Sequence, residues 1–191
     1  MLDRLAGAKF FTRIDLKSGY YQIKVADEDV EKTTCRTWYG SYEFVVMPFG
    51  LCNAPATFTT MMKSIFHHET DDFVIIYIDD ILIFSKTKEE HAKHLGIVLK
   101  KLRENKLYAN EAKSEFALQE IEFLGHVGNE EGIKPDARKL KAIQEWQEPQ
   151  TQKGVRSFLG LANYYRKFIR NFSKITSPLL DLLTKNNKKF Q

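Results

Sequence analysis

The sequence predicts an α+β fold in two parts, and three observations predict it. Two strand-length runs rich in Val, Ile, Phe and Tyr flank a pair of aspartates between Phe73 and Ser85. A stripe of apolar residues at helical spacing runs from Lys88 to Asn105. After Lys134-Pro135 the pattern turns mostly helical. A unit of strands and helices up to about Gly132 therefore precedes a small helical unit, with Pro135 as the natural boundary.

Composition narrows the function classes. A chain of 191 residues, 43% hydrophobic and 28% charged, can bury the core of one large domain or two small ones. Cys35 and Cys52 are the only cysteines, which excludes a zinc ribbon or a disulfide framework. No apolar run is long enough to span a bilayer and Met1 opens no signal-peptide pattern, so a soluble intracellular chain is expected. The net charge of +4 is unevenly spread. From Gln150 onward nine Lys and Arg residues (Lys153, Arg156, Arg166, Lys167, Arg170, Lys174, Lys185, Lys188 and Lys189) face Asp181 alone, and the remainder is net acidic. A basic tail suits an anionic partner such as nucleic acid, or it is simply a solvated face.

Taken in order, Lys9 to Leu16 reads as a strand ending near Asp15, broken by Lys17-Ser18-Gly19. Tyr20 to Val25 resumes an extended pattern, and Asp27 to Lys32 is a charged connection. Thr33–Trp38 and Tyr42–Met47 form a hairpin that Pro48 ends. Asn53 can cap a helix from Ala54 to His68, with Pro55 in its first turn and Phe58, Met61, Met62 and Ile65 on its core face. On the helix from Lys88 to Asn105 the inward stripe is Ala92, Leu95, Val98, Leu99 and Leu102. His91 and His94 lie three apart there, but no third ligand is in view for a metal. Leu107–Ala109 and Ile121–Val127 read as short strands, the second turning at Gly128 to Gly132. Asp136 to Trp146 is a helix with Leu140, Ile143 and Trp146 inward. Thr151 caps another that runs to about Asn171, and a third begins near Pro178.

The Asp79-Asp80 pair sits at the turn of the central hairpin. Folding needs no two like charges there, since an Asn-Gly turn would serve. Either the tip is incidentally acidic or it holds a divalent cation, which wants carboxylate oxygens. A metal site needs a third carboxylate, and Asp15, at the end of a strand of the same sheet, is the candidate.

Five blocks in order then carry a family resemblance: Arg13-Ile14-Asp15-Leu16-Lys17-Ser18-Gly19-Tyr20; Val46-Met47-Pro48-Phe49-Gly50-Leu51-Cys52-Asn53-Ala54-Pro55; Tyr77-Ile78-Asp79-Asp80; Phe123-Leu124-Gly125-His126; and Ser157 to Phe168. Together they resemble the reverse transcriptases of gypsy-type LTR retrotransposons. The resemblance implies a right-hand polymerase palm with partial fingers (residues 1–134, the fingers roughly 25–47) and a small helical thumb (135–191). It implies an RNA-directed DNA polymerase core, a nucleotidyltransferase that adds dNTPs to a primer 3′ end by a two-metal mechanism. Asp15, Asp79 and Asp80, with the carbonyl of Leu16, would hold two Mg²⁺ ions, Mn²⁺ being the alternative. Tyr20 matches a steric gate against the ribose 2′-hydroxyl. Phe49 would line the nucleotide pocket, and Lys113 would lie near the triphosphate or be a plain surface lysine. Gly50, Pro55 and Tyr77 would meet template and primer, Phe123, Leu124, Gly125 and His126 would grip the primer end, and Gly160, Asn163 and Tyr164 would track the duplex. Helical spacing separately places Arg156, Asn163, Lys167 and Arg170 on one stripe, opposite Val155, Leu159, Ala162 and Ile169.

Ile78 fills the variable position of the Tyr-x-Asp-Asp block, Thr34-Cys35 stands where the family often has Ala-Phe, and Ser114 stands where Cys is usual. Set against the resemblance, the family's N-terminal fingers, with their basic triphosphate-binding residues, are missing before Met1, which leaves the activity of this piece open, and the chain ends where the connection and RNase H regions would begin. Template RNA or DNA with a primer strand, dNTPs and the RNase H and integrase regions of the parent polyprotein are the implied partners, with no membrane. The implied location is the cytoplasm, in a virus-like particle, or the nucleus. The other reading is a truncated or domesticated fragment that binds primer-template or RNA without polymerising.

Overall fold

The computed structural model describes residues 2–70 and 72–184; the last lysines of the basic tail, Lys185, Lys188 and Lys189, lie outside them. Among the described residues no helix is long and apolar enough to cross a membrane. Two compact units are present: residues up to Ile121 together with Asn129–Gly132, and Glu122–Gly128 together with residues from Ile133 onward. Glu122–Gly128, expected with the first domain, thus groups with the helices.

The first unit is built on an antiparallel sheet of β4 (Val74–Tyr77), β5 (Asp80–Ser85), β1 (Phe10–Asp15) and β6 (Glu115–Leu118), in that spatial order. Strand alternation decides which side chains face the helices. Ile14, Val74, Ile76, Ile81 and Ile83 join one buried cluster with Phe58 and Met62 of α1 (Ala54–Ile65) and Val98 and Leu102 of α2 (Lys88–Glu104). The other face of β1 carries Phe11, Arg13 and Asp15, directly across from Phe84, Leu82 and Asp80. The period of two therefore turns both aspartates away from the helix-packed core.

Local chemistry fixes the helix ends. Thr87 and Glu90 form a reciprocal capping box at the start of α2, which satisfies donors that the helix cannot. Pro55 sits in the first turn of α1, where its missing N–H costs nothing. That helix stops at Ile65, short of the expected His68. Tyr20 is not in an extended segment: Ser18 adopts left-handed backbone (φ 50°), and Gly19–Gln22 closes as a 3-10 turn. The hairpin of β2 (Cys35–Thr37) and β3 (Gly40–Tyr42) is shorter than expected and exposed throughout. On α2, Ala92 and Leu99, expected inward, are exposed, and His91 is buried instead, its ring bonded to Thr12 and Ser85. His94 bonds the same Ser85 hydroxyl, so the two histidines serve a polar network within the fold.

Ile121 to Val127 is two strands rather than one. β7 (Ile121–Phe123) turns at Leu124-Gly125 into β8 (His126–Asn129), which turns again into β9 (Gly132–Pro135). In the second unit α3 (Ala137–Gln144) is capped by the Asp136 carboxylate, which accepts from the Arg138 amide at 2.8 Å. Leu140 and Trp146, expected inward, are over a third exposed, although Trp146 packs on Phe158. α4 (Gln152–Tyr164) begins at Thr151 as expected, but it ends at Tyr164 rather than Asn171. Arg166–Phe168 forms a 3-10 turn, and α5 (Phe172–Asp181) contains Pro178 instead of starting there. Lys167 and Arg170 therefore lie beyond the helix, and the expected four-residue stripe is broken. Its inward counterpart holds for Val155, Leu159 and Ala162, all buried.

Candidate active site

One end of the central sheet gathers the acidic residues. Asp15 closes β1 and pairs in register with Asp80, the first residue of β5. Tyr77 pairs with Asp80 across the hairpin, which leaves Ile78 and Asp79 as a two-residue turn. Ile78 has φ 51°, a conformation that a β-branched residue adopts only under strain. Ile78 also packs against the buried cluster, which ties the turn to the core.

Asp79 bears the electrostatic load. Its Oδ1 is buried and, among the described residues, meets no hydrogen-bond partner. Burial first, then the charges of Asp15 and Asp80, push its carboxyl above the ordinary carboxylate range. Asp80 is also raised, by burial and by Asp15, against the Arg13 guanidinium, which pulls it down. Among the described residues no three His, Cys, Asp or Glu side chains already close on one point as a metal cage. The chemistry of the set nevertheless fits a hard divalent cation: three carboxylates at one strand end, one with an orphaned oxygen.

Gly19 makes the approach of Asp79 possible. A Cβ there would lie 3.0 Å from Asp79 Oδ1 and 3.1 Å from the Phe58 ring, closer than nearly all side-chain contacts. Tyr20 is buried next to it, edge-on to Phe58 and against Phe49, with centroids 5.4 and 4.8 Å away. Burial, and secondarily Asp79, push its phenol up, so it stays protonated. Phe49 is more than half exposed and also packs on Tyr21. A cleft of about 400 Å³ on the other side is lined by Arg13, Asp15, Asp80, Ala112, Lys113 and Glu115. Lys113, exposed in the short turn Glu111–Lys113, thus shares a cleft with two of the aspartates. Arg13 is held by Glu115 at 3.1 Å. The backbone of Asp15 is anchored twice, its amide donating to Ser114 Oγ (3.2 Å) and its carbonyl accepting from Asn110 (2.8 Å).

Leu16 is buried and bridges to Ala109. Gly50 has φ 100°, which only glycine adopts freely, and Pro55 and Tyr77 are exposed. In the second unit Phe123 and His126 are buried, and Leu124 and Gly125 are half-buried at the tip of their turn. Arg156, Gly160, Asn163, Tyr164, Lys167 and Arg170 are exposed. Sequence reasoning missed Arg13, Gly19 and Ser114 as parts of the site. Gly19 left a trace, a glycine in the break that follows the first strand, but only the fold reveals what it makes room for.

Residues 1–127 match the family model described as reverse transcriptase (RNA-dependent DNA polymerase). The chain is 42% identical over 98% of its length to the Pol polyprotein of transposon gypsy from Drosophila melanogaster, of which it covers 18%. It is 39% identical over 97% of its length to the Tf2-3 transposon polyprotein of Schizosaccharomyces pombe, covering 14% of that protein. The chain therefore spans less than a fifth of either relative. Among solved structures it resembles foamy viral protease-reverse transcriptase in complex with an RNA/DNA hybrid (TM-score 0.80, 30% identity, 95% of this chain and 25% of that one). It also resembles the same enzyme in complex with double-stranded DNA (TM-score 0.85, 29% identity, 99% of this chain and 35% of that one). By family match, sequence identity and shared α+β polymerase fold, this chain belongs to the reverse transcriptase family.

Proposed function

We propose that this chain is the catalytic core of an RNA-directed DNA polymerase that adds dNTPs to a primer 3′ end on an RNA or DNA template. The observation that carries it is the buried, unpartnered Asp79 Oδ1 beside two further carboxylates at one strand end. Asp15, Asp79 and Asp80, with the Leu16 carbonyl, would hold two Mg²⁺ ions, or Mn²⁺. Bound there, the metal would supply Lewis acidity, lowering the pKa of the primer 3′-hydroxyl and offsetting charge at the α-phosphate.

The chain's own groups do the rest. The sheet register fixes Asp15 against Asp80, and the Ile78 turn holds Asp79 against Gly19, so the carboxylates are set before substrate arrives. Tyr20, wedged between Phe49 and Phe58, stands beside Asp79, where a ring can exclude a ribose 2′-hydroxyl. Lys113 lies on the Asp15–Asp80 cleft, where a cation can meet the triphosphate. The first unit serves as palm with partial fingers, with Gly50, Pro55 and Tyr77 toward the template and primer. In the second unit Phe123, Leu124, Gly125 and His126 hold the primer end. Arg156, Gly160, Asn163 and Tyr164 of the thumb, with Lys167 and Arg170 beyond it, meet the duplex backbone by shape and charge.

Primer extension on an RNA template with Mg²⁺ and dNTPs, comparing wild type with Asp79→Asn/Asp80→Asn, tests the reading. Extension by wild type alone is expected. No extension by either, with salt-sensitive duplex binding retained, would make this a binding module instead. Equal extension by both would remove the carboxylates from the chemistry.

A further inference from the structure

The turn between β7 and β8 is held at every carbonyl lone pair it offers. Leu124 and Gly125 both have left-handed backbone, φ 50° and 68°, as a two-residue type I′ turn requires. Gly125 adopts it freely, but Leu124 is forced into it against its own Cβ. The Leu124 carbonyl accepts from the Tyr164 hydroxyl at 2.5 Å and from His126 Nδ1 at 2.8 Å. The Gly125 carbonyl accepts from the Tyr165 hydroxyl at 3.2 Å and from the Asp136 amide at 3.1 Å. A carbonyl oxygen has two lone pairs, so both oxygens are saturated. The approach is close: a Cβ on Gly125 would lie 3.1 Å from the Tyr165 hydroxyl oxygen.

The two tyrosines differ in placement. Tyr165 is 2% exposed and sits against the His126 ring. Tyr164 ends α4, half-exposed, and packs edge-on to Tyr165. The resemblance implied that Tyr164 meets the duplex; here its hydroxyl is committed to the turn.

We propose that Tyr164 and Tyr165 are positioning residues for the primer 3′ end, their hydroxyls fixing the strained Leu124-Gly125 turn in its gripping shape. This rests on the reading above that the turn holds the primer. With the hydroxyls gone, the turn keeps its other two hydrogen bonds but gains freedom to relax Leu124 out of the left-handed region. The primer end would then be held in more than one position.

The test uses the full chain with a primer-template duplex carrying 2-aminopurine at the primer 3′ terminus, whose fluorescence reports local stacking without any turnover. Tyr165→Phe, Tyr164→Phe and the double variant keep the rings and remove only hydroxyls. Wild type is expected to change the probe's fluorescence on binding. Read at saturating duplex, the variants are expected to show a smaller change. Where extension is measured at saturating duplex, kcat should fall roughly five-fold per hydroxyl removed, the worth of one hydrogen bond. Variants that reproduce the wild-type fluorescence and kcat, once corrected for folded fraction, would overturn the proposal, because a purely fold-stabilising contact behaves that way. A wild type whose binding leaves the probe unchanged would overturn the primer-end reading and this proposal together, an outcome distinct from variants that match a responding wild type. Tyr164→Phe, at a half-exposed position, keeps the comparison available if the buried variant does not fold.

Discussion

Gly19→Ala isolates the steric condition on which the acidic site depends. Gly19 does not have a positive φ, so alanine is acceptable to the backbone and the perturbation is the Cβ alone. That Cβ would lie 3.0 Å from Asp79 Oδ1 and 3.1 Å from the Phe58 ring, where ordinary contact begins near 3.4 Å. Something must move by a few tenths of an ångström. Phe58 is fully buried against Tyr20 and the sheet and has no room. The Asp79 carboxylate, at the end of a two-residue turn, gives way instead. Overpacking of this kind costs about 1–3 kcal/mol. That corresponds to a melting-midpoint loss of roughly 2–4 °C per kcal/mol at this chain length. A misplaced catalytic group costs more in rate than in stability, up to about a hundred-fold for a displacement near one ångström. Extension by Gly19→Ala should therefore fall by roughly ten- to a hundred-fold, with duplex affinity unchanged. Phe58→Leu in the same chain should restore part of the rate by opening space beside the new methyl, a coupling that a double-mutant cycle reads directly. Wild-type turnover in Gly19→Ala, or no recovery on adding Phe58→Leu, would refute the idea that this glycine sets the position of Asp79.

Asp79→Asn should abolish extension yet raise the melting midpoint in EDTA, by about 2–4 °C for a gain near 1 kcal/mol, because it removes a buried unpartnered charge facing two others; a lower midpoint would contradict that. Burial and His94 lower the His91 pKa, so the neutral ring is favoured in the folded state. Stability is then complete above the ordinary value of 6.5 and is lost as pH falls from there toward the lower folded value, and His91→Gln should flatten that limb of a melting-versus-pH curve. Tyr20→Ala should raise ribonucleotide incorporation relative to dNTP incorporation, measured as a ratio of kcat/KM values, while Tyr20→Phe should leave the ratio near wild type because the ring, not the hydroxyl, fills the space.

By itself the sequence determined the parts whose information is local. Alternation and β-branched content placed the β4–β5 hairpin, and helical spacing placed α2. The Asp79-Asp80 turn and the motif order identified the family. Boundaries failed where local signals were silent. Ile121 to Val127 reads as one strand, because nothing in Leu124 announces a left-handed turn that Tyr164, Tyr165, His126 and Asp136 hold in place from elsewhere in the chain. α4 stops at Tyr164, where the backbone bends to seat Tyr165 against His126, and so Lys167 and Arg170 left their stripe. Only the tertiary structure decided how the acidic site is made. Residues sixty and more apart in sequence, Gly19, Asp15 and Arg13 among them, meet Asp79 and Asp80 through strand register and close packing, and Ser114 reaches the Asp15 amide from the far side of the chain. Register and packing are properties of the whole sheet, and no stretch of sequence carries them alone.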